Sequence, residues 1–171
     1  MHKSHAPANK QFLIAAQKGH LQVIRDLLRE YSIPKHTKIE AVKKAVARGH
    51  DQVFEFLYRK NPTFHNATTL AGSAAHGGHN RILHYLLKNA NPCKETIMIY
   101  AARGKNFDVV HAMLKQGQTE ATLRRRDKDN YQNYMDWRNK QIDKEFQENR
   151  AQISENNKTT KVILKRRSPK P

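Results

Sequence analysis

Histidine is the residue type in this chain best suited to chemistry, and it occurs ten times among 171 residues. Three of these residues, His20, His50 and His79, recur at steps of 30 and 29 residues. Zinc holds imidazole nitrogens at about 2 Å, so a metal site needs several rings that converge on one point. His76 and His79 lie three residues apart, but the two glycines between them interrupt a helix. Local spacing therefore predicts no metal site.

No other residue stands in a recognisable catalytic motif. Ser73 lies in Ala-Gly-Ser-Ala and lacks the Gly-x-Ser-x-Gly turn that follows a strand in hydrolases. The glycine pair at 77–78 is not followed by the Lys-Ser/Thr of a phosphate-binding loop. The single cysteine, Cys93, has no catalytic motif beside it and excludes an intrachain disulfide. The sequence predicts a protein that is not an enzyme and binds no cofactor.

The elements that must position the histidines occur four times. Ala15-Ala16-Gln17-Lys18-Gly19-His20, followed by paired apolar residues, has counterparts that begin at Ala45, Ala74 and Ala101. Each copy predicts a helix, a glycine stop and a second amphipathic helix, and no strand pattern is present. A period near 30 residues is typical of a stacked array. Equivalent residues in such a stack lie about 10 Å apart, so the recurring histidines cannot share one metal ion.

The Ala-Ala-x-x-Gly-His-x-x-Val-Val/Ile-x-x-Leu-Leu core resembles the ankyrin repeat. The usual Thr-Pro-Leu-His opening is replaced, and the units are shorter than the roughly 33 residues of the family. Such degenerate repeats are similar to ankyrins of intracellular bacteria, amoebae and giant viruses. The resemblance implies an all-α fold: a short solenoid of four ankyrin-like helix-turn-helix repeats with a C-terminal helical cap.

The chain divides into three parts. We expect a repeat stack over 1–117, with repeats at about 9–36, 37–66, 67–94 and 95–117, then an amphipathic segment over 118–155 and a flexible basic tail over 156–171. The amphipathic segment is interpreted as one long helix or as two helices broken near residues 127–130. We expect it to cover the fourth repeat, because the ends of a solenoid must be covered. The alternative is a helix that binds a partner or dimerises, and the oligomeric state stays open.

Charge is the strongest indication of a partner, since the formal net charge is +17. Such an excess favours an anionic partner. No apolar run is long enough to span a membrane, and the N-terminus lacks the apolar core of a signal peptide. We expect an intracellular protein, in the cytoplasm or nucleus. Lys165, Arg166 and Arg167 resemble a nuclear-localisation signal, with a solubilising tail or a C-terminal signal for non-classical secretion as alternatives.

The resemblance also indicates a binding surface. In ankyrin-like proteins the two residues between the alanine pair and Gly-His face the concave groove and contact partners. Lys105 takes the place of the fourth glycine. The predicted contacts are Gln17, Lys18, Arg48, His76, Arg103 and Lys105, with Tyr31, Phe64 and Tyr100 as further apolar anchors.

We therefore expect a non-enzymatic module that binds a protein with an acidic surface on its basic concave face. A secreted effector of an intracellular bacterium, acting in a host cell, is one setting for this activity. The alternative is sequence-nonspecific nucleic-acid binding, possible in the nucleus, although the chain lacks a recognised nucleic-acid-binding motif. A basic face that is simply solvated is the plainest interpretation of the same residues.

Overall fold

The computed structural model describes the backbone of residues 5–167 and the side chains of residues 7–63 and 65–156. Over that part of the chain the fold is all-α, as predicted, with ten α-helices and one short 3₁₀ turn. In chain order the elements are α1 (His5–Lys18), α2 (Leu21–Glu30), α3 (Lys35–Ala47), α4 (Asp51–Lys60), the 3₁₀ turn (Pro62–Phe64), α5 (Ala67–Gly77), α6 (Asn80–Asn89), α7 (Lys94–Arg103), α8 (Phe107–Lys115), α9 (Glu120–Arg126) and α10 (Lys128–Arg167).

Helices α1 to α8 form four hairpins, each closed by a tight turn. Gly19, Gly49 and Gly78 adopt left-handed backbone angles, with φ of 78°, 72° and 72°. Lys105 occupies the same place in the fourth turn, with φ of 60°, although a side chain disfavours this conformation. The N–H of the following residue then donates to the first alanine of the pair, as from His50 to the Ala45 carbonyl at 2.9 Å. This bond closes the end of each first helix.

The core of the stack lies between successive first helices. Their paired small residues are almost fully buried, with exposures between 0 and 3%: Ala15, Ala16, Ala45, Val46, Ala74, Ala75, Ala101 and Ala102. Because these side chains are small, α5 and α7, like α1 and α3, approach more closely than α4 and α6. The second helices contribute further large buried residues, among them Ile24, Phe54 and Ile82. Each such burial contributes about 1.5–3 kcal/mol.

The first compact unit, Met1–Tyr131, extends past the stack boundary expected at residue 117. The reason is that α9 packs against α7, with Leu123 fully buried. Within this unit α9 therefore provides the cap that the fourth repeat needs. The chain breaks at Asp127 and continues as α10, which corresponds to the two-helix alternative.

The second compact unit, Gln132–Pro171, contains most of α10. The amphipathic segment is predicted to carry an apolar stripe at steps of four and seven residues: Tyr131, Met135, Ile142, Phe146 and Ile153. Its last three members are not buried, since Ile142, Phe146 and Ile153 are 55%, 58% and 61% exposed. Tyr134, which the stripe did not include, is the buried residue among positions 132–156. The backbone of 156–167 is helical. The flexibility expected from residue 156 onwards stays a prediction, and residues 168–171 lie outside the described residues.

Candidate partner-binding surface

The six predicted contact residues lie at one edge of the stack, at the C-terminal ends of the first helices. Gln17 and Lys18 end α1, Arg48 follows α3, His76 lies in the last turn of α5, and Arg103 ends α7. Lys105 follows two residues later in the turn. All six side chains are exposed. We call these six residues the basic edge.

Helix geometry explains why cations are stable at the basic edge. The last carbonyls of a helix carry partial negative charge, which favours Lys, Arg and protonated His in the last turn. Lys18 and Arg103 occupy such positions. This effect contributes to stability whether or not a partner binds, so charge at these positions alone does not identify a binding site.

The recurring histidines hold neighbouring repeats together. The Nε2 atom of His50 lies 2.9 Å from the carbonyl oxygen of Gln17, and Nε2 of His79 lies 3.3 Å from that of Ala47. Since a carbonyl can only accept, Nε2 donates in both bonds. In the fourth repeat the side-chain amide of Asn106 donates to the carbonyl of His76 at 3.2 Å. Each bond joins the end of one repeat's first helix to the next repeat's turn.

The same rings also explain why the turns need glycine. A Cβ added at Gly49 would lie 2.5 Å from Nδ1 of His79, and one at Gly19 would lie 2.7 Å from Nδ1 of His50. Each imidazole therefore packs directly on the glycine of the preceding turn. Within the described residues no three histidine, cysteine or acidic side chains are grouped to hold a metal ion.

The break near Asp127, one of the two alternatives for the amphipathic segment, is a fifth turn whose likeness to the other four was not predicted. The carbonyl of Asp127 accepts from the N–H of Tyr131 at 2.9 Å, as the carbonyl of His50 accepts from Phe54. A carboxylate cannot donate to a carbonyl, and Asp127 instead accepts a hydrogen bond from Nε of Arg103 at 2.7 Å. Thus the turn residue again contacts the basic edge of the preceding repeat, here through a side chain.

This ion pair changes the setting of Arg103. The hydrogen bond from Arg103 holds the pKa of Asp127 below its ordinary value, and the same bond raises the pKa of Arg103. Asn130 also donates to Asp127, at 2.9 Å. Arg103 is half exposed and lies over the ring of Tyr100 at 5.9 Å. The Nε donor of Arg103 is thus already used within the protein. The sequence did not indicate this pair, because Asp127 lies 24 residues away from Arg103.

The three predicted aromatic anchors, Tyr100, Tyr31 and Phe64, differ in their surroundings. Tyr100 is 40% exposed and lies in α7 rather than in a loop, one turn before Arg103. Its ring packs over Gly72, where an added Cβ would lie 3.1 Å from it. Tyr31 is half-buried beside the end of α2. The side chain of Phe64 lies outside the described residues, as do those of Lys165, Arg166 and Arg167.

Other reactive groups lie away from the basic edge. Cys93 is exposed at the start of α7, and hydrogen bonds from the Thr96 side chain and backbone hold the pKa of its thiol below the ordinary value. A groove of about 550 Å³ lies between α4 and α6, where Arg81 pairs with Asp51 at 3.1 Å. Neither feature includes a predicted contact residue. No helix among the described residues is long and apolar enough to cross a membrane.

These hairpins, stacked through paired small residues and linked turn to turn, define a helical repeat protein. A family model for ankyrin repeats, in three copies, matches residues 12–127, which is more than half of the chain. The chain belongs to the ankyrin-repeat family. Repeats of this family generally mediate protein–protein interaction and typically are not enzymes. A search of the curated proteins found no match.

Proposed function

We propose that this protein binds an acidic segment of a partner protein along the basic edge. The observation that carries the proposal is a set of exposed cations, Lys18, Arg48 and Lys105, in the first, second and fourth repeats. None of the three forms an ion pair within the part of the chain that the structure describes. Other cations of the chain do form ion pairs, as Arg59 does with Glu55 and Arg81 with Asp51.

Hydrogen bonds between neighbouring repeats hold the backbone of the basic edge in place. Gln17 and His76 each offer a backbone carbonyl to the next repeat's turn, so the edge residues are held by the stack itself. Because the backbone of the edge is already ordered, binding an extended acidic chain has to order only the side chains. Exposed charges at such an edge also increase the rate of association with an acidic partner.

Arg103 and Tyr100 form the C-terminal end of the proposed surface. Asp127 accepts from Nε of Arg103 and thereby orients the guanidinium over the Tyr100 ring. The remaining exposed part of Arg103 faces solvent and can donate to a partner carboxylate. Tyr100 adds an apolar contact of the kind that often dominates interface energetics.

The decisive experiment compares two charge reversals of equal size. Lys18→Glu/Arg48→Glu alters the basic edge, and Lys88→Glu/Lys115→Glu places the same change at the exposed ends of second helices α6 and α8. Binding of a fluorescent poly-glutamate peptide and of a duplex DNA is measured by anisotropy for wild type and both variants. We expect the peptide to bind wild type and the Lys88/Lys115 control similarly, and the Lys18/Arg48 variant at least about tenfold more weakly.

Equal losses in the two variants would mean that net charge, not the basic edge, causes binding. Capture from a eukaryotic cell lysate then tests for a real partner, with nuclease present and at moderate and high salt. A discrete protein that wild type retains and the Lys18/Arg48 variant loses supports the proposal. Recovery of nucleic acid alone, with affinity that falls steeply with salt, favours the alternative of nucleic-acid binding.

The effector setting is a separate part of the proposal and rests on the resemblance to ankyrins of intracellular bacteria, amoebae and viruses. It assigns the basic residues Lys165, Arg166 and Arg167 to localisation rather than to binding. The test expresses the full chain, fused to a fluorescent protein, in a eukaryotic cell. Loss of nuclear signal in Lys165→Ala/Arg166→Ala/Arg167→Ala supports a nuclear signal, and an unchanged distribution excludes it.

A further inference from the structure

The part of α10 in the second compact unit carries an exposed apolar stripe. Ile142, Phe146 and Ile153 are each more than half exposed. Burying these three side chains against a partner would remove apolar surface from water and stabilise the complex. Contiguous exposed apolar residues on one helix face are typical of an interaction surface.

The spacing of this stripe fits a two-helix coiled coil. Alternating steps of four and three residues connect the core positions Met135, Asn139, Ile142, Phe146, Asn149 and Ile153. This is the a/d pattern of a heptad repeat, with Phe146 and Ile153 at a and Met135 and Ile142 at d. Asparagine among the core positions lowers stability but favours a single register, in which the amides of two chains pair with each other.

Charge makes this segment suitable for contact between two copies of the chain. Residues 132–156 contain four Lys or Arg and five Asp or Glu, a formal charge of −1, whereas residues 1–131 carry +12. Two molecules with a net charge of +17 repel each other over most of their surface. Residues 132–156 are a part of the described chain where that repulsion is small.

The flanking charges favour a parallel arrangement. Glu145 precedes an a position and Arg150 follows a d position in the next heptad, so in parallel helices Glu145 of each chain meets Arg150 of the other. Both side chains are exposed, and Arg150 already lies beside Phe146, 5.9 Å from its ring. Arg138 and Asp143 stand in the same relation one heptad earlier.

The antiparallel arrangement with Ile142 opposite Phe146 places like charges together. It brings the two copies of Glu145 to one side of the core and the two copies of Asp143 to the other. Like charges at these positions disfavour pairing. We propose that residues 135–153 form a parallel, in-register, two-stranded coiled coil with a second copy of this chain. This inference is independent of the binding function proposed for the basic edge.

The test measures the mass of the full-length protein by sedimentation velocity across the micromolar concentration range. Wild type should dimerise as its concentration rises. Glu145→Arg and Arg150→Glu should each weaken dimerisation by about tenfold, because each variant opposes like charges at two symmetric positions. The double variant Glu145→Arg/Arg150→Glu should restore the wild-type constant, since it exchanges the charges and keeps each pair opposite.

Mixing the two single variants gives a second measurement. Each should prefer the other to itself, because all four flanking positions then carry opposite charges. Phe146→Asn should abolish the dimer, and circular dichroism shows whether α10 keeps its helix content. A wild-type protein that stays monomeric at every concentration overturns the proposal. A dimer that withstands Phe146→Asn, or a double variant that fails to recover, also overturns it.

Discussion

Replacing Lys105 with glycine should stabilise the fold and weaken binding at the same time. Lys105 holds φ at 60°, where the three equivalent turns have glycine. The left-handed conformation costs a residue with a side chain about 1–2 kcal/mol. Glycine loses about 0.5–1 kcal/mol more than other residues through its greater freedom in the unfolded chain. Lys105→Gly should therefore raise the free energy of unfolding by about 0.5–1 kcal/mol.

The same substitution removes one cation from the basic edge. Affinity for the poly-glutamate peptide should fall, even though the protein is more stable. Lys105→Asn is the matched control, because asparagine tolerates the left-handed conformation better than lysine and carries no charge. Lys105→Arg keeps both the charge and the strained backbone, so it should resemble wild type in stability and in affinity.

Stability is measured by urea unfolding followed by circular dichroism, and affinity by anisotropy at fixed salt. A urea midpoint for Lys105→Gly that is equal to or lower than that of wild type would contradict the expected backbone strain at Lys105. The assignment of Lys105 to the basic edge fails if the glycine variant binds the peptide as tightly as wild type. Because stability and affinity should move in opposite directions, partial unfolding cannot imitate the expected result.

Four further substitutions test the packing and the shifted pKa values. Gly104→Ala should lower the free energy of unfolding by about 3 kcal/mol, since the new Cβ would lie 2.0 Å from the backbone oxygen of His76. Gly117→Ala is the control, because a Cβ there meets nothing within 4 Å. It should lower the free energy of unfolding by only about 1 kcal/mol, owing to its left-handed backbone. Burial and nearby Lys43 lower the pKa of His65. As pH falls below the ordinary histidine pKa, the unfolded chain therefore binds a proton at His65 before the folded chain does. The free energy of unfolding should decline with pH in that range, and less steeply in His65→Phe than in wild type. Thr96→Val should raise the pKa of the Cys93 thiol, seen as slower alkylation near neutral pH, and an unchanged rate would contradict the assigned hydrogen bond.

The four hairpins could be predicted because their signals are local. A glycine followed by histidine marks the end of one helix and the start of the next, and the alanine pair lies just before it. Lys105 has the left-handed angle of the three glycines with which it aligns in the sequence. The number of residues before each turn places the six predicted contact residues at the ends of the first helices, and their role in binding stays a prediction.

The C-terminal part was harder to predict because its contacts link distant positions. The fifth turn is only 21 residues after Asn106 and has aspartate in place of histidine, so the repeat pattern no longer identifies it. The pair between Arg103 and Asp127 depends on how α9 packs against α7. Periodicity showed that α10 has an apolar face, but an apolar face can be covered by another chain as well as by its own.

The contact between each imidazole and the preceding glycine determines where a further repeat could be added to the array. A duplicated unit inserted before the third or fourth repeat would bring both its own glycine and its own histidine, and would find a matching surface on each side. A unit added after the fourth repeat would place its histidine on Lys105, where a side chain occupies the space that glycine leaves open. Units can therefore be inserted within the array, whereas Lys105 disfavours a further unit with histidine after the fourth repeat, where Asp127 stands instead.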